Sequence, residues 1–209
     1  MPARPIHNLP QSIPVPRPPL CRYQEQQLNE MLDNALNHAS IFAWGWFNEG
    51  PSNMPDACPA YAACNRWVRA RDTTRFTTWA DDMKLRGACF EHASLISLND
   101  YPGWYDLHKE GIKAPLAWNT FALAVTEGTT RSGKHTVGKP MVISETGAGG
   151  VYEWSANATA AKWTLKYQSE IVGGDVDVAL SNENISGICL WHFYDFKVRR
   201  AAVDRDIPT

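Results

Sequence analysis

Apolar residues in this chain follow two alternating patterns, one with helical spacing and one of short unbroken runs. Between Tyr23 and His38, Leu28, Met31, Leu32, Ala35 and Leu36 recur three and four residues apart, and the opposite face is Glu, Gln and Asn. That period predicts an amphipathic helix with one buried face. Directly after it, Ile41-Phe42-Ala43-Trp44-Gly45-Trp46-Phe47 is apolar at every position and is closed by Asn48-Glu49-Gly50-Pro51. Such a run predicts a strand covered on both faces, as in a parallel sheet between helices.

The alternation then repeats. A helical stretch from Pro59 to Arg71 leads to a strand at Arg75–Ala80, and a shorter connection leads to Leu95–Leu98. A helix over Ala117–Glu127 precedes a strand at Pro140–Ser144, and a helix over Ala158–Ile171 precedes one at Gly187–Phe193. Short apolar strands separated by helices predict βα units and an all-parallel sheet. Polar residues follow the strand ends: Asn48 and Glu49, then Asp81 and Asp82, Asn99-Asp100-Tyr101, Glu145, and Asp195. In a parallel α/β structure all strand C-termini lie on one face, so these groups are expected to converge.

Composition narrows the field. The chain has 209 residues, 44% hydrophobic and 20% charged, with a formal net charge of −2. This balance speaks against disorder and lacks the basic footprint of a nucleic-acid or anionic-membrane partner. No apolar run approaches the roughly 18 residues of a membrane span. The opening MPARPIHNLPQSIPVPRPPL is proline-rich with no signal-peptide core, predicting an extended arm over residues 1–22 and leaving the compartment open. Residues 23–198 read as one α/β unit and 199–209 as a tail.

The five cysteines form no CxxC pair and have no His at zinc-ligand spacing, so no metal site is expected. Cys58 and Cys64 are the pairing candidates under oxidising conditions. Asn157-Ala158-Thr159 and Asn184-Ile185-Ser186 have the form of glycosylation sequons. Asp72 and Arg75 read as a helix-to-strand ion pair, and Trp44, Trp46, Trp67, Trp118 and Trp163 as packing.

Glu49 and Glu145 each stand immediately beyond a strand. Two carboxylates opposed across a barrel mouth are what glycoside hydrolysis requires: one protonated, to donate to the departing oxygen, and one ionised. A separation of about 5 to 5.5 Å gives retention through a covalent intermediate, and roughly 6.5 to 9.5 Å admits an inverting water.

The segment NHASIFAWGWFNEGPSN resembles the strand-four signature of glycoside hydrolase family two, and KPMVISETGAGG resembles its strand-seven nucleophile signature. RDTTRFTTWADD is similar to the strand-five segment. SLNDYPGWYD is similar to the strand-six segment, closest in form to β-glucuronidases, and GICLWHFYDFKV to the strand-eight motif. The likeness runs in order from about Gln24 to Val198. It implies an α/β fold, a partial (β/α)8 TIM barrel of about strands four to eight only, with open edges and an apolar barrel lining.

It further implies a retaining β-glycosidase acting on β-galactosides or β-glucuronides by double displacement, with a carbohydrate as partner and no metal or organic cofactor. In that reading Glu49 is the general acid/base and Glu145 the nucleophile. Asn48 holds the sugar 2-hydroxyl, Tyr101 hydrogen-bonds the nucleophile, and Trp191 walls the pyranose. Trp104 and Tyr105 shape the cleft entrance, while His192 and Asp195 fit a structural role equally well. After Phe196 there is no Asn-x-Lys-Gly element of the kind that holds a glucuronate carboxylate. The alternative is a non-catalytic remnant or carbohydrate-binding protein of the same fold. An unrelated α/β hydrolase would need a GxSxG nucleophile elbow, which the chain does not contain.

Overall fold

The computed structural model describes residues 22–154 and 161–194. In chain order the main elements are α1 (Arg22–Ala35), β1 (Ala43–Asn48), α2 (Cys58–Arg69), β2 (Phe76–Asp81), β3 (Ile96–Asn99), α3 (Ala117–Glu127), β4 (Met141–Thr146), α4 (Leu165–Ser181) and β5 (Gly187–Leu190). The strands form one parallel sheet in sequential order, β1-β2-β3-β4-β5. Winding always onto the next strand is the connectivity of a barrel, whereas a doubly wound sheet reverses direction part-way. The β2–β3 crossover replaces a helix with short 3-10 turns at Lys84–Arg86 and Phe90–His92. The proline-rich arm, Cys21, the Asn157 sequon, Asp195 and the tail lie outside the described residues.

The two faces of the sheet differ in chemistry. Trp79, Ile96, Leu98, Met141 and Ile143 pack against Tyr61 of α2, Trp118, Ala122 and Val125 of α3, and Val178 and Ala179 of α4. A second cluster joins Leu28 and Leu32 of α1 to Trp44, Cys64 and Val68. By register and alternation the opposite face carries Gly45, Thr78, Ala80, Ser97, Asn99, Val142 and Gly187. Thr78 Oγ1 and Ser97 Oγ lie 2.8 Å apart across it. The inner lining thus mixes small apolar and polar residues, while the bulky residues of β3 and β4 face the helices.

Further expectations are corrected. β1 is not covered on both faces: Gly45, on the side away from Trp44, is exposed, whereas β3 is buried at all four positions. Trp67 is not core; it lies at the surface, where its indole N–H donates to Asn29 Oδ1 of α1 at 3.0 Å. Cys58 is bonded to Cys89, not Cys64. Cys58 and Cys64 share α2, and six residues of helix separate them by about 9 Å, past the roughly 7 Å reach of a disulfide. Cys64 is free and buried, which pushes its thiol up to about 12, and Cys189 is free and exposed.

Asp72 and Arg75 pair as expected at 2.7 Å. Asp72 also accepts from the Trp44 indole at 2.8 Å, while Arg75 donates to the carbonyls of Leu36 and Ile41. The pair therefore ties the end of α1 and the start of β1 to β2.

The last helix starts at Leu165 instead of Ala158, because Thr164 caps it, accepting from the Tyr167 N–H at 3.1 Å. It runs through Gly173-Gly174 to Ser181, since Tyr167, Ile171, Val178 and Ala179 extend the buried face past the glycines. The two glycines differ. A Cβ on Gly174 would lie 2.8 Å from the Pro115 ring, while one on Gly173 meets nothing within 4 Å. Gly173→Ala is expected to stabilise by roughly 0.5–1 kcal/mol through helix propensity, and Gly174→Ala to destabilise. Urea titration of both variants checks this; equal shifts would contradict the close packing of α4 on Pro115.

Candidate active site

Two bulges aim the polar groups at the C-terminal end of the sheet. Gly45 pairs with Thr78 but Asn48 pairs with Ala80, so β1 uses one residue more than β2. Strict alternation would put Asn48 on the helix side with Trp44 and Trp46. The extra residue instead lets Trp46 and Phe47 both pack outward, against Trp79 and Tyr61, and turns Asn48 inward. In β4, Asn99 pairs with Glu145 where the preceding pair is Leu98 with Ile143. Ser144 and Glu145 therefore share the inner side, and Thr146 returns to the helix side, bonding Asp175 at 2.8 Å. Glu49 follows β1 with φ of +54°, a left-handed conformation costly for any residue but glycine.

Hydrogen bonds join these ends. The Tyr101 hydroxyl donates to Glu145 Oε2 at 2.6 Å. Asn99 Nδ2 donates to Glu49 Oε1 at 3.0 Å and to Asn48 Oδ1 at 3.1 Å, and Asn99 Oδ1 accepts from Ser144 Oγ at 2.7 Å. The connection passes from β4 through β3 to the end of β1. Tyr101 is held well above the ordinary tyrosine range, first by burial, then by its bond to Glu145 and by the charges of Glu145, Tyr105 and Glu49. Asn99 bonds both Glu49 and Ser144, the neighbour of Glu145 in β4, so Glu49 and Glu145 stand at the same end of the sheet, joined by one hydrogen-bonded chain.

A third carboxyl belongs to it. Asp82, just past β2, is raised by burial and then by the charge of Glu49, and its Oδ1 is buried with no hydrogen-bond partner. Beneath Tyr101, Asp100 Oδ1 accepts the Tyr101 N–H at 2.9 Å and Oδ2 pairs with Lys84 Nζ at 3.4 Å. Burial raises Asp100 and the Lys84 charge opposes it; Lys84 itself is raised, Asp106 and Asp100 outweighing burial.

Trp191 follows β5, its backbone N–H donating to the Thr146 carbonyl, one residue past Glu145, at 2.8 Å, and the residue is 48% exposed. Its peptide bond to His192 is cis. Tyr105 is exposed and meets Tyr101 edge-on at 5.2 Å, in keeping with a place at the entrance. Trp104 is not there. It is buried with Ala114, Tyr167 and Ile171 and stands edge-on to Trp163 at 4.6 Å, because the Gly103 carbonyl is bound by Tyr167.

Sequence reasoning gave Asn99 and Ser144 no role. The available signal was a polar amide ending a strand otherwise buried at every position, which demands hydrogen-bond partners. Among the described residues no three His, Cys, Asp or Glu side chains group to hold a metal ion, and no helix is long and apolar enough to cross a membrane.

The family model for the TIM barrel domain of glycosyl hydrolases family 2 matches residues 10–204. The chain belongs to glycoside hydrolase family 2. Solved structures similar to this family 2 chain include a β-galacturonidase from Eisenbergiella tayi bound to galacturonate, 25% identical with a TM-score of 0.70 over 81% of this chain and 28% of that one. A Faecalibacterium prausnitzii β-glucuronidase is 22% identical with a TM-score of 0.72, over 87% of this chain and 30% of the other. A β-D-glucuronidase from Dictyoglomus thermophilum is 21% identical with a TM-score of 0.70, over 86% and 30%. The chain thus spans less than a third of their length. No curated protein matches it.

Proposed function

We propose that the chain carries the catalytic pair of a retaining β-glycosidase that hydrolyses β-glucuronides or β-galactosides by double displacement. Glu145 attacks the anomeric carbon, one of its oxygens oriented by Tyr101. Glu49 protonates the departing glycosidic oxygen, then takes a proton from the water that releases the glycosyl-enzyme. Asn48 holds the 2-hydroxyl, a contact that strengthens as oxocarbenium character develops, and Trp191 supplies an apolar wall. The observation that carries this reading is the joint hold on the two glutamates: Tyr101 on one, Asn99 on the other, with Ser144 linking Asn99 to the strand that bears Glu145. The family and the uronide-cleaving neighbours support the substrate class.

The test is hydrolysis of 4-nitrophenyl β-glucuronide and β-galactoside, with NMR of the first-formed sugar anomer. Retention at either substrate is expected; an inverted product overturns double displacement. A second reading, carbohydrate binding without turnover, draws on the exposure of Asn48 and Glu49 and on the five strands among the described residues. It would be favoured by folded protein that binds these glycosides and leaves them intact.

A further inference from the structure

We infer that Asn99, oriented by Ser144, is a positioning residue that sets the direction of the Asn48 amide and the carboxylate of Glu49 together. The polarity of the sugar contact follows from it. This rests on the glycosidase reading for its consequence, though not for its geometry.

Asn99 is buried, so its carboxamide must find partners within the protein. Nδ2 has two N–H groups, and the two acceptors in reach are Glu49 Oε1 and Asn48 Oδ1. Asn48 Oδ1 only accepts, so the reverse orientation of Asn99 would set oxygen against oxygen there. Asn99 Oδ1 is thereby turned to β4, where the Ser144 hydroxyl donates to it at 2.7 Å. The consequence reaches Asn48. With its Oδ1 turned toward Asn99, Asn48 directs its amide N–H groups away from Asn99, and the sugar 2-hydroxyl meets those groups as an acceptor. Alternation alone turns Ser144 inward beside Asn99, and the bulge adds Glu145 to the same side, so neighbouring residues of β4 serve the two carboxylates.

The experiment uses the full chain with Ser144→Ala, Ser144→Thr and Asn99→Ala. In 1H–15N spectra, Ser144→Ala is expected to shift the side-chain amide signals of Asn99 and of Asn48, Ser144→Thr to restore them, and the distant Asn182–Asn119 amide pair to stay in place. In kinetics with 4-nitrophenyl β-glucuronide and its 2-deoxy analogue, the preference of kcat/KM for the 2-hydroxyl should fall about tenfold in Ser144→Ala and Asn99→Ala and recover in Ser144→Thr. Unmoved Asn48 signals, or lower turnover with an unchanged 2-hydroxyl preference, would overturn the inference. Failure of the wild type to hydrolyse any glycoside overturns the proposed function instead, and the spectra still decide the role of Asn99.

Discussion

Glu145→Gln should lower hydrolysis of a 4-nitrophenyl β-glycoside by at least about 10⁴-fold, with the melting temperature little changed. The substitution keeps size and shape, and the glutamine carbonyl can still accept the Tyr101 hydroxyl that bonds Glu145 now. What it removes is the nucleophile itself, and no other group in the described site supplies one at that position. Glu49→Gln should cost less, about 10²- to 10⁴-fold, and the loss should depend on the leaving group. A nitrophenolate departs with little protonation, whereas an alkoxide needs the proton that Glu49 gives. The ratio of the two losses, measured on a nitrophenyl and an alkyl glycoside, therefore separates acid catalysis from general damage to the site. Full activity in Glu145→Gln would show that the attacking group lies elsewhere.

The parallel sheet was legible because its signal is periodic. Runs such as Met141-Val142-Ile143 and the helical spacing of α3 depend on burial of side chains, and burial is written in residue type. The positions of Glu49 and Glu145 at strand ends followed from the same runs. Their direction did not. An unbroken alternation would have turned Asn48 toward the helices, and only the extra residue in β1 reverses it. Bulges have no composition of their own, so nothing in FAWGWFNEG marks where one falls. Asn99 was obscured for a related reason, since its partners come from strands β1 and β4, far away in the chain. The disulfide shows the same limit: Cys58 is nearer in sequence to Cys64, but helix geometry holds those two apart and packing brings Cys89 in.

Stability should rise as pH is lowered from 7 to 5, against the usual behaviour of carboxylates held in salt bridges. Asp81 and Asp175 are fully buried and enter none of the salt bridges among the described residues, and burial pushes each carboxyl up to about 6. Hydrogen bonds oppose this, from Ser52 on Asp81 and from Thr146 and Trp118 on Asp175, while the charges of Asp82 and Asp100 add to it. Asp81 keeps one oxygen, Oδ2, with no partner at all. Because each folded value lies above the ordinary 3.8, the native state binds more protons than the unfolded chain between about pH 4 and 6, and stability falls as pH climbs through that window. The two groups together should contribute about 3 kcal/mol between pH 7 and 5, or roughly 6 to 12 °C in melting temperature. Asp72 acts in the opposite sense. Burial would raise it, but bonds from Thr74, Trp44 and Arg75 hold it well below the usual carboxylate range, so its stabilisation is lost only as pH drops beneath about 4. The maximum is therefore expected near pH 4 to 5. Asp81→Asn, which cannot ionise, should be more stable than the wild type at pH 7 and flatten the slope by about half. A melting temperature highest at pH 7, or an Asp81→Asn profile parallel to the wild type, would show that these buried carboxyls are not what the pH dependence reports.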